Sequence, residues 1–358
     1  MSKFHPLTVS AVRRETRDAI VLTLDVPEEH REAFRFTQGQ HLTLRAEIDG
    51  DEVRRSYSIC AAATDAQLRV GIKKVAGGAF SAWANERLAP GQVIEAMPPM
   101  GHFFVPLDAE RGRHFVGFAA GSGITPLISI IKTTLAAEPR SSFTLVYGNR
   151  ASSSIMFREE LEDLKNTYLQ RFSLVHVLSR EQQDIDLFNG RIDKEKCDSL
   201  LEHWIDVGSV DTAFICGPRD MMLAVAQSLE EHGLAKERIK FELFASSAPA
   251  PRQHRPREAE AAGAKNMCEA TIVIDGLARS FTFEKESCSV LDAASSEGME
   301  LPYACKGGVC STCRAMLVEG EVDMDANFAL EDYEIARGYI LTCQSYPVSD
   351  RIRVDFDK

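Results

Sequence analysis

Cys305, Cys310 and Cys313 are spaced C-x4-C-x2-C, and Cys343 follows after 29 intervening residues. That spacing suits a [2Fe–2S] cluster, in which four thiolates hold two irons. Gly307, Gly308, Ser311 and Thr312 are small, so the backbone can wrap closely round inorganic sulfide and aim N–H groups at it. Such a centre passes one electron at a time, so electron transfer is the chemistry to expect. A structural zinc site is the alternative, but zinc usually draws its cysteines as two short pairs with a longer loop between. Here three fall in one glycine-rich loop, and the fourth stands alone in residues 339–344, which read as a strand.

Three further clusters could hold phosphate or a flat cofactor. Gly121-Ser122-Gly123-Ile124-Thr125-Pro126 lies between a strand and a helix, where glycines admit a pyrophosphate and the helix start offers free N–H groups. Pro126 suits an early helical position. In Arg55-Ser56-Tyr57-Ser58 an aromatic ring, a hydroxyl and a cation share one strand, as a flavin requires, with Arg55 and Tyr57 on one face. Gly77-Gly78-Ala79-Phe80-Ser81 could hold flavin phosphate at a helix start. The first two have plainer readings: a tight turn, and an ordinary strand with an exposed arginine. Cys60, Cys197, Cys268 and Cys288 show no ligand spacing and read as structural thiols.

The elements that must position these residues fall into zones. A length of 358 residues points to two or three domains. Before about residue 107, short alternating segments (42–44, 57–59, 68–72) are separated by Asp49-Gly50 and Pro90-Gly91, which predicts a small antiparallel β-barrel with one helix near 79–88. From about 112 to 245, strands at 115–119, 143–147, 174–178 and 213–215 alternate with helices near 125–135, 156–165 and 221–231. That alternation predicts a parallel sheet with helices on both faces. Residues 246–266 are rich in proline, alanine and charge, without hydrophobic period, and read as an extended linker. The expected division is 1–107, 108–245, the linker 246–266, and 267–358.

Composition excludes several classes. The net charge is −12, and residues 267–358 carry 17 acidic against 8 basic side chains. Nucleic acid is therefore not an expected partner. Guidance toward a basic redox partner and a merely solvated acidic face both remain open. Residues 115–131 carry no charge but are too short for a membrane span and are interrupted by Gly121, Gly123 and Pro126. The first six residues lack the apolar core of a signal peptide, so a cytoplasmic protein is expected. Nine cysteines then speak for metal and redox chemistry rather than disulfides.

Arg55-x-Tyr57-Ser58, Gly78-x-x-Ser81, Gly121-x-Gly123-x-x-Pro126 and Cys216-Gly217-Pro218 stand in the order seen in the ferredoxin–NADP reductase superfamily. The tail, from Leu301-Pro302-Tyr303-Ala304-Cys305 to Leu341-Thr342-Cys343, resembles plant-type ferredoxins. A reductase followed by a ferredoxin looks like the reductase component of a multicomponent oxygenase. The stretch from Arg35 to Leu44 and Tyr147-Gly148-Asn149-Arg150 are most similar to the reductase subunits of phenylacetyl-CoA epoxidases.

The resemblance implies an antiparallel β-barrel flavin domain, an α/β parallel-sheet nucleotide domain and an α+β ferredoxin domain of the β-grasp kind. It implies that Arg55, Tyr57 and Ser58 bind FAD, with Ile72, Lys73, Gly78 and Ser81 along its ring edge and phosphates. Gly121, Gly123 and Thr125 would take the nicotinamide nucleotide, and Cys216 would lie near the nicotinamide with Gly217 and Pro218. Cys216 as a plain buried thiol is the competing reading. Glu242 and Phe244 would supply a carboxylate and an aromatic near the flavin, making Ser58, Cys216 and Glu242 the catalytic group. The family often has tyrosine where Phe244 stands, which leaves FAD against FMN open. Arg150 follows the second strand of the nucleotide region with no Asp or Glu at that strand end, and Ser152 and Ser153 add donors. This favours NADPH over NADH, since a 2′-phosphate needs a cation; a solvated loop arginine is the alternative. The implied electron acceptor is a di-iron oxygenase. Rivals are the reductase of an aromatic-ring dioxygenase or steroid hydroxylase, and a non-catalytic zinc-knot scaffold.

Overall fold

The computed structural model describes residues 3–244 and 266–358. The expected linker at 246–266 lies, but for its last residue, outside them. Residues 4–243 form one compact unit and, among the described residues, 3, 244 and 266–358 belong to another.

The first unit begins with six antiparallel strands: β1 (His5–Thr16), β2 (Ala19–Asp25), β3 (His41–Ile48), β4 (Asp51–Ser58), β5 (Leu68–Lys73) and β6 (Val93–Ala96), ordered β4-β3-β6-β1-β2-β5. An Ile59–Val70 bridge joins the end of β4 to β5 and closes the barrel. Leucine, isoleucine and valine of β2, β3 and β5 turn inward, so Leu22, Leu42, Leu44, Val70 and Ile72 are fully buried. Helix α1 (Ala79–Arg87) caps one side through Phe80 and Ala84.

Five parallel strands follow: β7 (His114–Ala120), β8 (Ser142–Asn149), β9 (Phe172–Leu178), β10 (Thr212–Cys216) and β11 (Ile239–Glu242). Helices α2 (Ile124–Ala137), α3 (Arg158–Thr167), α4 (Lys194–His203) and α5 (Arg219–Glu231) connect them. The order β11-β10-β7-β8-β9 reverses direction between β7 and β10. A crevice therefore opens at the strand ends there, where open α/β sheets bind ligands. Phe115, Phe143 and Phe214 stack across the sheet at centroid spacings of 6.1 to 6.5 Å, and Phe103 meets Phe214 edge-on at 5.5 Å. Burying each such ring contributes about 2–3 kcal/mol.

The second unit is a mixed sheet of β12 (Met267–Ile274), β13 (Leu277–Glu284), β14 (Arg314–Glu319), β16 (Tyr339–Leu341) and β18 (Arg351–Asp355), ordered β13-β12-β18-β14-β16. A small pair, β15 (Val322–Met324) and β17 (Ser345–Pro347), stands beside it, with helices α6 (Val290–Ser296) and α7 (Asp332–Ala336). Only β12 and β18 run parallel. Val290, Leu291, Ala293 and Ala294 of α6 are buried in the sheet's core, the arrangement expected of a β-grasp. The strand read at 339–344 stops at Leu341, because residues 342–344 form a turn closed by Gln344 N donating to Leu341 O at 2.9 Å. Among the described residues no helix is long and apolar enough to cross a membrane.

Candidate functional site

On β4 the pleat turns Arg55 and Tyr57 outward and Ser58 inward: Arg55 is exposed, Tyr57 half-buried and Ser58 buried. Tyr57 leans on Phe80 of α1 at 5.5 Å, which fixes its ring plane. Burial pushes its phenol far above the ordinary value, with the nearby Arg55 cation opposing. A ring held flat beside a cation fits a flavin and its phosphate. Lys73 is half-buried, with its Nζ 3.7 Å from Asp18. Two expected contacts differ. Ile72 points into the barrel core at 0% exposure, so only its backbone could meet a flavin. Ser81 Oγ donates to Gly78 O at 3.2 Å and accepts from Val75 N at 3.1 Å. It closes its own loop and leaves the first N–H groups of α1 to face a phosphate.

The two halves of this unit meet at Ser58. Its Oγ donates to Glu242 Oε2 at 3.2 Å, and parallel pairing sets Glu242 beside Cys216. Burial raises the Glu242 carboxyl to about 8, the Ser58 hydrogen bond opposing. The Cys216 thiol, fully buried, is pushed well up by burial and then by Glu242. Structure thus assembles Ser58, Cys216 and Glu242 from three distant segments. Phe244, two residues beyond β11, falls with the second unit.

Gly121 adopts φ +54 at the end of β7, and its carbonyl accepts from Tyr147 Oη at 2.8 Å. Gly123 has a structural reason of its own: an added Cβ would lie 2.0 Å from Cys216 O. Thr125 Oγ1 donates to Ser122 O at 2.9 Å and pins the turn. Gly217 and Pro218 lead from β10 into α5 across the same crevice. Arg150 is exposed at the end of β8, and there the structure adds residues that sequence reading missed. Arg180 N donates to Arg150 O at 2.8 Å, bringing a second arginine from the end of β9 alongside. Glu181 takes hydrogen bonds from Ser152 N (2.7 Å) and Ser152 Oγ (2.9 Å). Glu181, past the end of β9, thus brings beside the end of β8 a carboxylate that β8 itself lacks, and Ser152's donors are engaged. Ser-Arg-Glu just past an apolar strand was the available signal, hidden because β8–β9 pairing is not local.

In the second unit Cys305 and Cys343 are drawn below their ordinary values by the neighbouring Cys310 and Cys313, Cys305 to about 6. Among the described residues no three His, Cys, Asp or Glu converge on a single-ion site. Three thiols on one loop and the fourth in the 342–344 turn have the spacing of a [2Fe–2S] cluster rather than of a tetrahedral zinc site. The loop also points N–H groups at sulfur: Gly307 N donates to Cys305 Sγ at 3.3 Å, and Gln344 Nε2 to Cys343 Sγ at 3.7 Å. Gly308 must be glycine, since its φ is +74 and a Cβ would meet Ala326 O at 2.8 Å. Cys310, Cys313 and Cys343 are buried and Cys305 half-buried, so the residues fit the cluster.

Residues 6–105 match the oxidoreductase FAD-binding domain, 118–227 the oxidoreductase NAD-binding domain, and 272–348 the 2Fe-2S iron-sulfur cluster binding domain. Over 357 residues the chain is 45% identical to a subunit of the 1,2-phenylacetyl-CoA epoxidase of Escherichia coli (strain K12), covering 100% of this chain and 99% of that one. Over 353 residues it is 34% identical to the ferredoxin reductase component of 3-ketosteroid-9-alpha-monooxygenase of Rhodococcus rhodochrous, covering 98% of this chain and 96% of that one. Among solved structures, phthalate dioxygenase reductase is similar with a TM-score of 0.59 and 21% identity, covering 99% of this chain and 98% of that one. That likeness carries the fold.

Proposed function

The chain belongs to the flavin- and [2Fe–2S]-containing oxygenase reductases of the ferredoxin–NADP reductase superfamily, and from that premise we propose that it passes electrons from NADPH, by way of FAD and a [2Fe–2S] cluster, to a di-iron oxygenase, 1,2-phenylacetyl-CoA epoxidase. The observation that carries this reading is the 45% identity sustained over the whole chain. The corresponding modules are residues 1–107 for flavin, 108–245 for coenzyme and 267–358 for the cluster.

When bound, flavin accepts two electrons together and releases them singly, and the cluster relays them one at a time. The protein's part is placement and proton handling. Arg55, Tyr57, the Ile72 backbone, Lys73, Gly78 and the start of α1 would cradle FAD, with Ser81 holding that loop closed. Gly121, Gly123, Thr125, Gly217 and Pro218 would line the coenzyme crevice. Arg150 and Arg180 support NADPH, two cations against the Glu181 carboxylate. Glu242, protonated near neutral pH, would exchange a proton through Ser58 Oγ, while the Cys216 thiol stays neutral and small beside the nicotinamide. Cys305, Cys310, Cys313 and Cys343 would hold the cluster.

The test is NADPH oxidation coupled to purified oxygenases. Turnover with the di-iron epoxidase, and none with a steroid or aromatic-ring oxygenase, is expected. The 34% identity to a ketosteroid monooxygenase reductase favours a steroid hydroxylase as the second reading, and turnover with that partner alone would establish it instead.

A further inference from the structure

Barrel and nucleotide sheet meet along β5, and the contact is both close and charged. A Cβ added at Gly71 would lie 2.7 Å from Thr125 Cγ2 and 3.4 Å from Phe157 Cζ. On the same outward face Arg69 Nη2 reaches Glu160 Oε1 of α3 at 3.0 Å. Lys132 Nζ of α2 lies 2.8 Å from both Glu160 Oε1 and Asp65 Oδ2. Arg69 Nη2 stands 3.8 Å from Asp65 Oδ2, closing a ring of alternating charge with two members from each half. The four side chains are only 16% to 33% exposed. Burial opposes the Asp65 and Glu160 carboxylates, yet the hydrogen bonds from Lys132 and the neighbouring cations hold both below their ordinary values. Two further ties flank the ring: Ala63 N donates to Thr133 Oγ1 at 3.0 Å, and Phe157 N to the Glu15 carboxylate Oε1 at 2.7 Å.

A buried ion ring adds little net stability over well-packed apolar residues, but its geometry is specific. Lys132 stands two turns along α2 from the Gly121–Thr125 turn, and β5 ends at Lys73 on the approach to the Gly77–Gly78 turn. We propose that Asp65, Arg69, Lys132 and Glu160 form a positioning clamp, which fixes the coenzyme turn at the head of α2 against the flavin face of the barrel. It thereby sets the distance for hydride transfer. The clamp rests on the reading that coenzyme seats at Gly121–Thr125 and flavin beside Tyr57. None of the four touches either site, so each acts through α2, α3 or β5.

The experiment uses the full-length holoprotein with Lys132→Met, Lys132→Arg, Glu160→Gln and the double variant Asp65→Asn/Lys132→Met. Flavin reduction by NADPH is followed by stopped flow, coenzyme Kd by titration, and unfolding by calorimetry. Misplacement of reacting groups by about an ångström can cost up to about a hundredfold, so Lys132→Met and Glu160→Gln are expected to slow flavin reduction at least about tenfold, with Kd changed less than about twofold. Lys132→Arg should keep most of the rate, and the double variant should be no slower than Lys132→Met. Calorimetry should resolve separate barrel and nucleotide transitions in Lys132→Met where in the parent these two halves unfold together. Wild-type rates and unchanged unfolding in Lys132→Met and Glu160→Gln would overturn the clamp, as would equal losses in Lys132→Met and Lys132→Arg. Failure of NADPH to reduce the parent's flavin would overturn the underlying reading instead.

Discussion

Ser58 Oγ lies 3.2 Å from Glu242 Oε2, although 184 positions separate the two residues. The bond links the last residue of β4 to the last of β11, so a barrel strand and a nucleotide-sheet strand share one polar contact. Its energetic character follows from burial: the carboxyl is lifted from 4.5 to about 8.

That shift has a sign in stability. The folded chain keeps the Glu242 proton where the unfolded chain has lost it, so its contribution is whole below 4.5 and disappears as pH rises through about 8. Glu242→Gln cannot titrate, and its Tm should therefore fall less than wild type's between roughly pH 5 and pH 8.5. Calorimetric Tm against pH for both proteins checks this; parallel curves would mean the carboxyl is already ionised in the fold.

The paired arginines make a coenzyme prediction. Losing a charge-assisted hydrogen bond costs about 1.5–3 kcal/mol, so Arg150→Ala or Arg180→Ala should raise KM for NADPH about tenfold or more. KM for NADH should hardly move. Steady-state kinetics with both coenzymes decides, and equal changes would remove these residues from the phosphate role.

Cys310→Ser removes one of the four cysteines in the C-x4-C-x2-C…C set. The variant should lose iron and acid-labile sulfide while retaining flavin. Reduction of one-electron protein acceptors should vanish, and NADPH–ferricyanide turnover should survive. Metal analysis alongside both assays tests this; loss of ferricyanide turnover with flavin still bound would reverse the proposed order of electron flow.

Gly123→Ala would place a methyl 2.0 Å from Cys216 O, where backbone rather than a flexible side chain must yield. Overpacking of this kind costs about 1–3 kcal/mol. A lower urea midpoint with unchanged slope is expected, together with weaker coenzyme binding, because the same turn carries both. An unaltered midpoint would show that the turn relaxes freely.

Much of the site was legible because its chemistry is local. The C-x4-C-x2-C loop, the Arg55-x-Tyr57-Ser58 strand and the Gly121 turn each declare themselves within ten residues, and the strand ends that carry them follow from hydrophobic period. Side-chain direction was harder. The family resemblance sets Ile72 at the flavin's edge, yet the pleat sends its side chain into the core at 0% exposure. Ser81 looked like a phosphate ligand, but the same hydroxyl satisfies the loop's own backbone.

The chain by itself determined which redox groups it can hold and the order of its modules, since ligand spacing and glycine turns are short-range properties. Tertiary structure alone decided which residues meet: Ser58 with Glu242, Arg150 with Arg180, and Asp65 and Arg69 with Lys132 and Glu160. Partners joined by parallel strands or by packed sheets lie far apart along the sequence, and no periodic pattern in either segment encodes the register that brings them together.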